Sequence, residues 1–241
     1  MRIAVIFTFG LAFLLTQCAG PSTPKPNEML VEGSVDGLRK GTLYLQTVAD
    51  SVLVNLDSTT IKGTPTFSLR TALEEPQVFY LYLDKEDNDT LNDRILFFGA
   101  PGKITINTLL NTYESSAKIE GSVNNDLLTA YKSTMFKFNA QNLELVKQYL
   151  DAQKRGVLEE AKALEVKMDQ LLKRRYLYAL NFAKSNANQE VAPYILYTEA
   201  YDATLSLLDT VIKDFTPKVK NSRYGKQLED YLAKRRATEN N

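Results

Sequence analysis

Hydrophobic residues recur along this chain with two different periods, and the change falls near residue 122. Before that point, short runs rich in Val, Ile, Phe, Tyr and Thr are separated by Gly, Pro, Asp and Asn, a pattern typical of strands and turns. The runs predict eight strands: 30–35, 42–47, 52–57, 66–70, 78–83, 94–98, 103–107 and 117–120. Because turn signals recur about every ten residues, we expect an antiparallel β-sandwich or a partly open barrel.

The run 78–83 differs from the other predicted strands because it is apolar on both faces. The run 66–70, in contrast, alternates between apolar and polar residues, as a strand with one buried face does. The apolar pattern of 78–83 predicts a central strand that is covered by helices on its outer face.

After Gly121 the apolar positions follow a helical period. The clearest stripe steps by four, three, four and three residues: Val157, Ala161, Leu164, Met168 and Leu171. We expect four helices, over 125–138, 143–185, 190–215 and 222–236, or five if the second is broken at Gly156. Strands followed by helices predict an α+β fold.

The first seventeen residues have the pattern of an export signal. Arg2 is followed by an apolar run of thirteen residues, 3–15. A helix of that length rises about 20 Å, which is less than the ~30 Å of hydrocarbon in a bilayer. We therefore divide the chain into a signal peptide (1–17), an anchor and Pro-rich tether (18–27), a β-rich domain (28–122) and a helical region (123–241).

Cys18, the only cysteine of the chain, directly follows this signal. The sequence Leu15-Thr16-Gln17-Cys18 resembles the bacterial lipobox, although the lipobox has a small residue where this chain has Gln17. The resemblance implies that Cys18 is lipidated, carries diacylglycerol and palmitate, and becomes the first residue of the mature protein. The alternative is a conventional signal peptide with an incidental cysteine, cleaved near Ala19.

The residues that follow Cys18 indicate where the protein lies. Three prolines between residues 19 and 27 predict an extended tether of roughly 28 Å. No acidic residue directly follows Cys18, and such residues direct some lipoproteins to the cell surface. We therefore expect an outer-membrane lipoprotein that faces the periplasm and contacts the membrane through Cys18.

Composition excludes several functional classes. The chain has no His, so histidine-dependent catalytic triads and His-ligated metal sites are excluded. A single Cys excludes internal disulfides and Cys-rich metal centres. The charges balance, 29 basic against 29 acidic residues, which gives no bias towards nucleic acid. We predict no cofactor, no metal and no nucleic-acid partner.

Three groups of residues could form a site, and each also has a structural interpretation. The acidic segment 84–93 could bind calcium, but it departs from the EF-hand pattern and is typical of a solvated loop. Helical tyrosines could form a binding surface, although this spacing favours the edge of a core: Tyr176, Tyr178, Tyr194, Tyr197 and Tyr201. The basic clusters 173–175 and 234–236 are typical of helix surfaces.

The β-rich part resembles a known family, domain of unknown function 4369, which is common in envelope lipoproteins of the Bacteroidota. The resemblance rests on these motifs, in this order: Glu32-Gly33, Gly41-Thr42-Leu43-Tyr44-Leu45, Asp57-Ser58, Gly63 with Phe67-Ser68-Leu69, Gly102-Lys103-Ile104-Thr105-Ile106 and Ile119-Glu120-Gly121-Ser122. The chain departs from the family at Thr64-Pro65, where relatives have a tighter turn.

The helical part is similar to the segment that precedes a thioredoxin-like domain in many of those proteins. The matching motifs are Asn181-Phe182-Ala183, Val191-Ala192-Pro193-Tyr194-Ile195, Leu207-Leu208-Asp209 and Ser222-Arg223-Tyr224-Gly225-Lys226. Relatives begin their redox domain where this chain reaches Asn241, so we expect the thioredoxin domain to be absent. A lipidated Cys18 leaves no thiolate for redox chemistry.

These observations favour a non-enzymatic binding or scaffolding module of the cell envelope, with an envelope protein as its partner. One alternative is an accessory protein of a thiol–disulfide system that acts through a separate thioredoxin-like partner. A second is a hydrolase that uses paired carboxylates, the enzyme class that needs no His.

Overall fold

The computed structural model describes residues 23–49, 51–85 and 93–239. The predicted signal peptide, Cys18 and most of the acidic segment lie outside the described residues. Within the described part, no helix has both the length and the apolar character needed to cross a membrane.

All eight predicted strands are present, most of them longer than the sequence indicates. They are β1 (Glu28–Asp36), β2 (Lys40–Ala49), β3 (Val52–Lys62), β4 (Thr66–Ala72), β5 (Gln77–Asp84), β6 (Arg94–Gly99), β7 (Gly102–Leu109) and β8 (Lys118–Glu120). One sheet has the strand order β4-β1-β7-β8 and the other β3-β2-β5-β6. Apolar residues of both sheets pack together in the sandwich core, among them Val31, Leu43, Phe79 and Ile104.

One strand pair departs from the predicted antiparallel arrangement. β1 and β7 are parallel, with Gly33 opposite Ile106, while the other pairs are antiparallel. A side chain at Gly33 would place its Cβ 1.8 Å from the Ile106 carbonyl oxygen. Glycine is therefore required where these two strands approach each other.

The prediction of a central strand at 78–83 is confirmed. β5 lies between β2 and β6, and Phe79, Leu81 and Leu83 face the sandwich core. Val78 points to the opposite face, where it joins Phe98 of β6 in a second core formed with the helices. β5 is apolar on both faces because, near Val78, one face is covered by the sandwich core and the other by the helices.

Six helices follow the strands in the described part of the chain, one more than the larger predicted number. They are α1 (Val123–Arg155), α2 (Leu158–Ser185), α3 (Val191–Glu199), α4 (Leu205–Lys213), α5 (Pro217–Asn221) and α6 (Arg223–Glu239). The break at Gly156 is confirmed, since this residue ends α1 at φ 74° and its N–H donates to the Ala152 carbonyl.

Two predicted helix boundaries are wrong. Residues 139–142 continue α1 without a break. The three polar side chains among them, Asn139, Gln141 and Asn142, are tolerated because they lie on the outer faces of the helix. The predicted helix 190–215 is divided into α3 and α4. At this division Arg235 of α6 donates to the Tyr201 and Ala203 carbonyls at 2.7 and 2.9 Å. A residue distant in sequence thus supplies hydrogen bonds to backbone carbonyls just after the end of α3.

Candidate functional site

The sheet that contains β5 opens at one end. β2 pairs with β5 only from Thr42 to Gln46, whereas it pairs with β3 as far as Ala49. An irregularity in the β2–β3 register lies at Leu45/Gln46, and Gln46 is also the last residue of β2 that pairs with β5. The end of the β2–β3 hairpin therefore separates from β5 and forms one wall of a cleft.

Helices α3 and α6 form the opposite wall of this cleft. Its volume is about 440 Å³, and its lining comprises aromatic and hydrogen-bonding side chains. The residues that line it are Thr47, Val48, Ser51, Val78, Tyr80, Tyr194, Tyr197, Thr198, Arg223, Tyr224 and Gln227. A cleft of this size and mixture is suited to a small ligand or to a side chain of a protein partner.

Arg223, at the start of α6, is the charged residue of the cleft. Its guanidinium donates to the Val48 carbonyl at 2.6 Å and to the Gln77 side chain, and its backbone N–H donates to the Glu75 carboxylate. These bonds join α6 to both sides of the opening between β2 and β5. The side chain is thus held by its own chain, and its main role in the structure is to connect helix and sheet.

Tyr224 makes a second connection across the same opening. Its hydroxyl accepts the Val78 N–H at 2.9 Å, and its ring lies 5.0 Å from Tyr194 and 5.7 Å from Phe98. Burial raises the pKa of the Tyr224 hydroxyl above its ordinary value. The hydroxyl therefore stays protonated at neutral pH and acts as a structural hydrogen-bonding group.

A different feature, the α1–α2 hairpin, extends away from the rest of the molecule. With 33 residues, α1 is about 50 Å long. Near its start Leu128, Tyr131 and Met135 are buried in the core between helices and sheet. Beyond Met135 the buried residue of α1 is Ala152, so the distal half of the hairpin packs mainly on itself. Its small cluster comprises Ala152, Ala161 and Leu164 with Leu145 and Tyr149 at the edge.

A row of exposed apolar side chains follows this distal half. Phe136, Leu143 and Leu150 are 74%, 71% and 57% exposed, and we call these three residues the α1 stripe. A spacing of seven residues returns to nearly the same side of a helix, so the three side chains form one line about 21 Å long. Single exposed apolar residues are ordinary, but an aligned row of large ones is typical of an interaction surface.

The predicted tyrosine group is divided by the structure. Tyr176, Tyr178 and Tyr194 pack against the core, as the structural interpretation predicts. Tyr197 and Tyr201 are 38% and 49% exposed, and both rings contact Tyr231 edge-on. Tyr197 and Tyr194 also line the cleft.

The two basic clusters bind their own chain. Arg236 pairs with Asp209 and with Glu229, the latter at 3.2 Å, while Arg235 holds the loop between α3 and α4. In the other cluster Arg174 lies over the Phe138 ring at 5.7 Å, and Arg175 lies 3.9 Å from Glu199. These contacts favour the helix-surface interpretation.

The acidic segment 84–93 is described at its ends. There Lys85 pairs with Asp93 at 3.1 Å, which directs one of the acidic side chains to a lysine. Residues 86–92 lie outside the described residues, as does Cys18, the predicted lipidation site. Within the described ranges, no group of three or more Cys, Asp or Glu residues is arranged to hold a metal ion.

Sequence reasoning missed both the cleft and the α1 stripe. The stripe has a sequence signal, since Phe136, Leu143, Leu150 and Val157 are spaced by seven, but the boundary predicted at 139–142 interrupts it. Arg223 and Tyr224 belong to the motif Ser222-Arg223-Tyr224-Gly225-Lys226, to which the sequence attached no role. Their partners lie far away in sequence, 175 residues for Val48 and 146 for Val78, so no local pattern could reveal these contacts.

Comparisons with known proteins identify one domain. Residues 29–128 match the model of a family described as Domain of unknown function (DUF4369), which confirms the resemblance stated for the β-rich part. A solved structure named pT26-6p is 10% identical with a TM-score of 0.21, over 81% of this chain and 42% of that chain. The present chain thus spans less than half of that protein, and so low a TM-score carries no argument. The search of curated proteins gave no match.

Proposed function

We propose that this protein is a non-enzymatic binding or scaffolding module of the cell envelope, and that the α1–α2 hairpin is its binding element. The observation that carries the proposal is the α1 stripe, in which three large apolar side chains are more than half exposed along one line. A partner that covers these side chains removes apolar surface from water, and this burial contributes favourable free energy to binding.

The anchoring part of the proposal rests on the sequence. A lipid at Cys18 and the tether up to residue 27 attach the protein to the periplasmic face of the outer membrane. The distal half of the α1–α2 hairpin, roughly 25 Å of helix, extends the reach of such an anchored module. Cys18→Ala is expected to abolish incorporation of a labelled fatty acid and to release the protein from membranes, as fractionation would show.

Site-specific photocrosslinking in intact cells tests the binding element. A photoreactive residue at Leu143 is expected to give a discrete crosslinked product that mass spectrometry identifies. The matched control is Val166, which is 55% exposed but belongs to α2, the other helix of the hairpin, and it is expected to give none. Equal products from both positions, or none from either, would contradict the proposal.

The identity of a captured protein also separates the proposed role from its main alternative. If a thioredoxin-like envelope protein is crosslinked from Leu143, the role as an accessory protein of a thiol–disulfide system would be favoured over the scaffold. A different envelope protein, or a second copy of the chain, would favour the scaffold.

A further inference from the structure

We infer that the α1 stripe pairs with the same stripe of a second copy of this chain, antiparallel and centred on Leu143. This inference rests on the proposed function and names the partner of the proposed binding element. In this arrangement a twofold axis passes beside Leu143, so two residues of the two copies lie at the same level when their numbers add up to 286. Phe136 then faces Leu150 of the second copy, and Leu143 faces itself.

The positions between these apolar layers also match. Ala140, a small exposed residue, comes to the same level as the half-buried Val146 of the second copy. Large and small apolar residues therefore alternate across the contact, which lets the two helices approach closely. The hairpins would together form a four-helix arrangement and remove the α1 stripe from water.

Charge complementarity selects the second copy and the antiparallel direction. Lys137, Glu144 and Asp151 each follow a stripe residue by one position, so they flank the stripe on one side. Antiparallel pairing places Lys137 of each copy on the same edge of the contact as Asp151 of the other, with a difference in level of ~3 Å, twice by symmetry. Parallel pairing would instead leave Lys137 and Asp151 on opposite edges of the contact and ~21 Å apart along it, so it would gain no such attraction.

Two details are consistent with this arrangement. Asp151 accepts from Arg155 at 2.8 Å, which holds its carboxylate at the side of the stripe and leaves lone pairs for a second donor. Glu144 lies near the axis and meets its own equivalent, but Lys147 is one turn away and offsets this repulsion. The Lys137–Asp151 pairs are thus the attraction that favours the antiparallel arrangement.

Disulfide trapping in the full-length chain tests the pairing and its register. Leu143→Cys is expected to give a covalent dimer under mild oxidation, about tenfold more than Gln148→Cys, because a disulfide requires Cα atoms within about 7 Å. Gln148 is an exposed control on another side of α1. The unsubstituted chain controls for Cys18. Phe136→Cys alone is expected to stay monomeric, but to form a dimer with a differently tagged Leu150→Cys chain.

Each other outcome overturns the inference in a distinguishable way. Dimers from Phe136→Cys alone and from Leu150→Cys alone would indicate parallel pairing. Failure of Leu143→Cys, with a defined foreign protein crosslinked from the same position in cells, would remove the self-pairing and leave the proposed function standing. Failure of both experiments would remove the proposed function as well.

Discussion

Phe98 and Phe136 show how differently two regions of this molecule use an aromatic side chain. Phe98 is 0% exposed, lies between the sheet and the helices, and contacts the rings of Tyr194 and Tyr224. Phe136 is 74% exposed on the distal half of the α1–α2 hairpin. The same residue type thus contributes to the folding of the body in one case, and has no role in folding in the other.

This difference separates the apolar surface that folding buries from the apolar surface that it leaves exposed. Burial of apolar side chains supplies most of the free energy that folds a domain, and the two cores of the body account for it in this chain. The α1 stripe stays in water in the isolated chain and so gains nothing from folding. Aligned apolar surfaces of this kind are typical of interaction sites, and our proposal assigns the binding role to this one.

The largest effect should come from truncating the buried aromatic residue. Phe98→Ala is expected to lower the free energy of unfolding by about 3–5 kcal/mol, because it removes a buried ring and leaves a cavity. Phe136→Ala, the matched change in the hairpin, should alter it by less than ~0.5 kcal/mol. Chemical denaturation of both variants gives the comparison, and equal losses would contradict it.

A smaller effect is expected where α6 connects to the opened sheet. Tyr224→Phe removes the hydroxyl that accepts the Val78 N–H and leaves a buried donor without its partner. We expect a loss of about 1–3 kcal/mol in the free energy of unfolding, measured by urea denaturation. Tyr197→Phe is the control, since that ring is 38% exposed at the same cleft, and it should be neutral.

A buried carboxylate should make the stability of the body depend on pH. Glu190 is 1% exposed, pairs with Lys218 at 2.7 Å and accepts from Asn124 at 2.9 Å. Burial alone would raise the pKa of Glu190, but the bonds from Lys218 and Asn124 outweigh burial and hold the pKa below its ordinary value of 4.5.

The sign of this pH dependence follows from the lowered pKa. The stabilising contribution of Glu190 is fully present above pH 4.5 and is lost as the pH falls through the lower pKa of the folded state. Glu190→Gln should therefore cost about 1–2 kcal/mol at pH 7, and its difference from wild type should shrink in acid. Denaturation curves at several pH values measure that difference, and a constant difference would contradict the expectation.

The smallest expected effect lies at the tip of the hairpin. Gly156 has φ 74° and, apart from its chain neighbours, no other atom lies within 4 Å of the position that a Cβ would occupy. Gly156→Ala therefore adds backbone strain of about 1 kcal/mol without a steric clash. Hydrogen exchange should become faster for hairpin amides and stay unchanged in the strands. Faster exchange throughout the strands would show that the hairpin and the body unfold as one unit.

Local patterns allowed much of this fold to be predicted from the sequence. The eight strands follow from alternation and regular turn residues, and Gly156 marked the division between α1 and α2 because glycine favours the left-handed conformation found there. The failures have long-range causes. Arg235 ends α3 from a position 34 residues beyond Tyr201, and no local signal near residue 200 shows this contact.

The candidate sites were harder to predict than the fold. The cleft depends on Arg223 and Tyr224 reaching an opening in the sheet, which is set by packing between distant segments. The α1 stripe was visible in principle as a spacing of seven. It was missed because the predicted helices end at 138 and begin again at 143, and amphipathic patterns identify buried faces more readily than exposed ones.

Sedimentation of the full-length chain in detergent tests the central claim most directly. The wild type is expected to sediment as a dimer, and Leu143→Glu as a monomer with an unchanged melting temperature, because a charge on the axis opposes pairing without disturbing the body. Val166→Glu, the control on α2, should remain dimeric. A wild type and a Leu143→Glu variant in the same oligomeric state would contradict pairing through the α1 stripe.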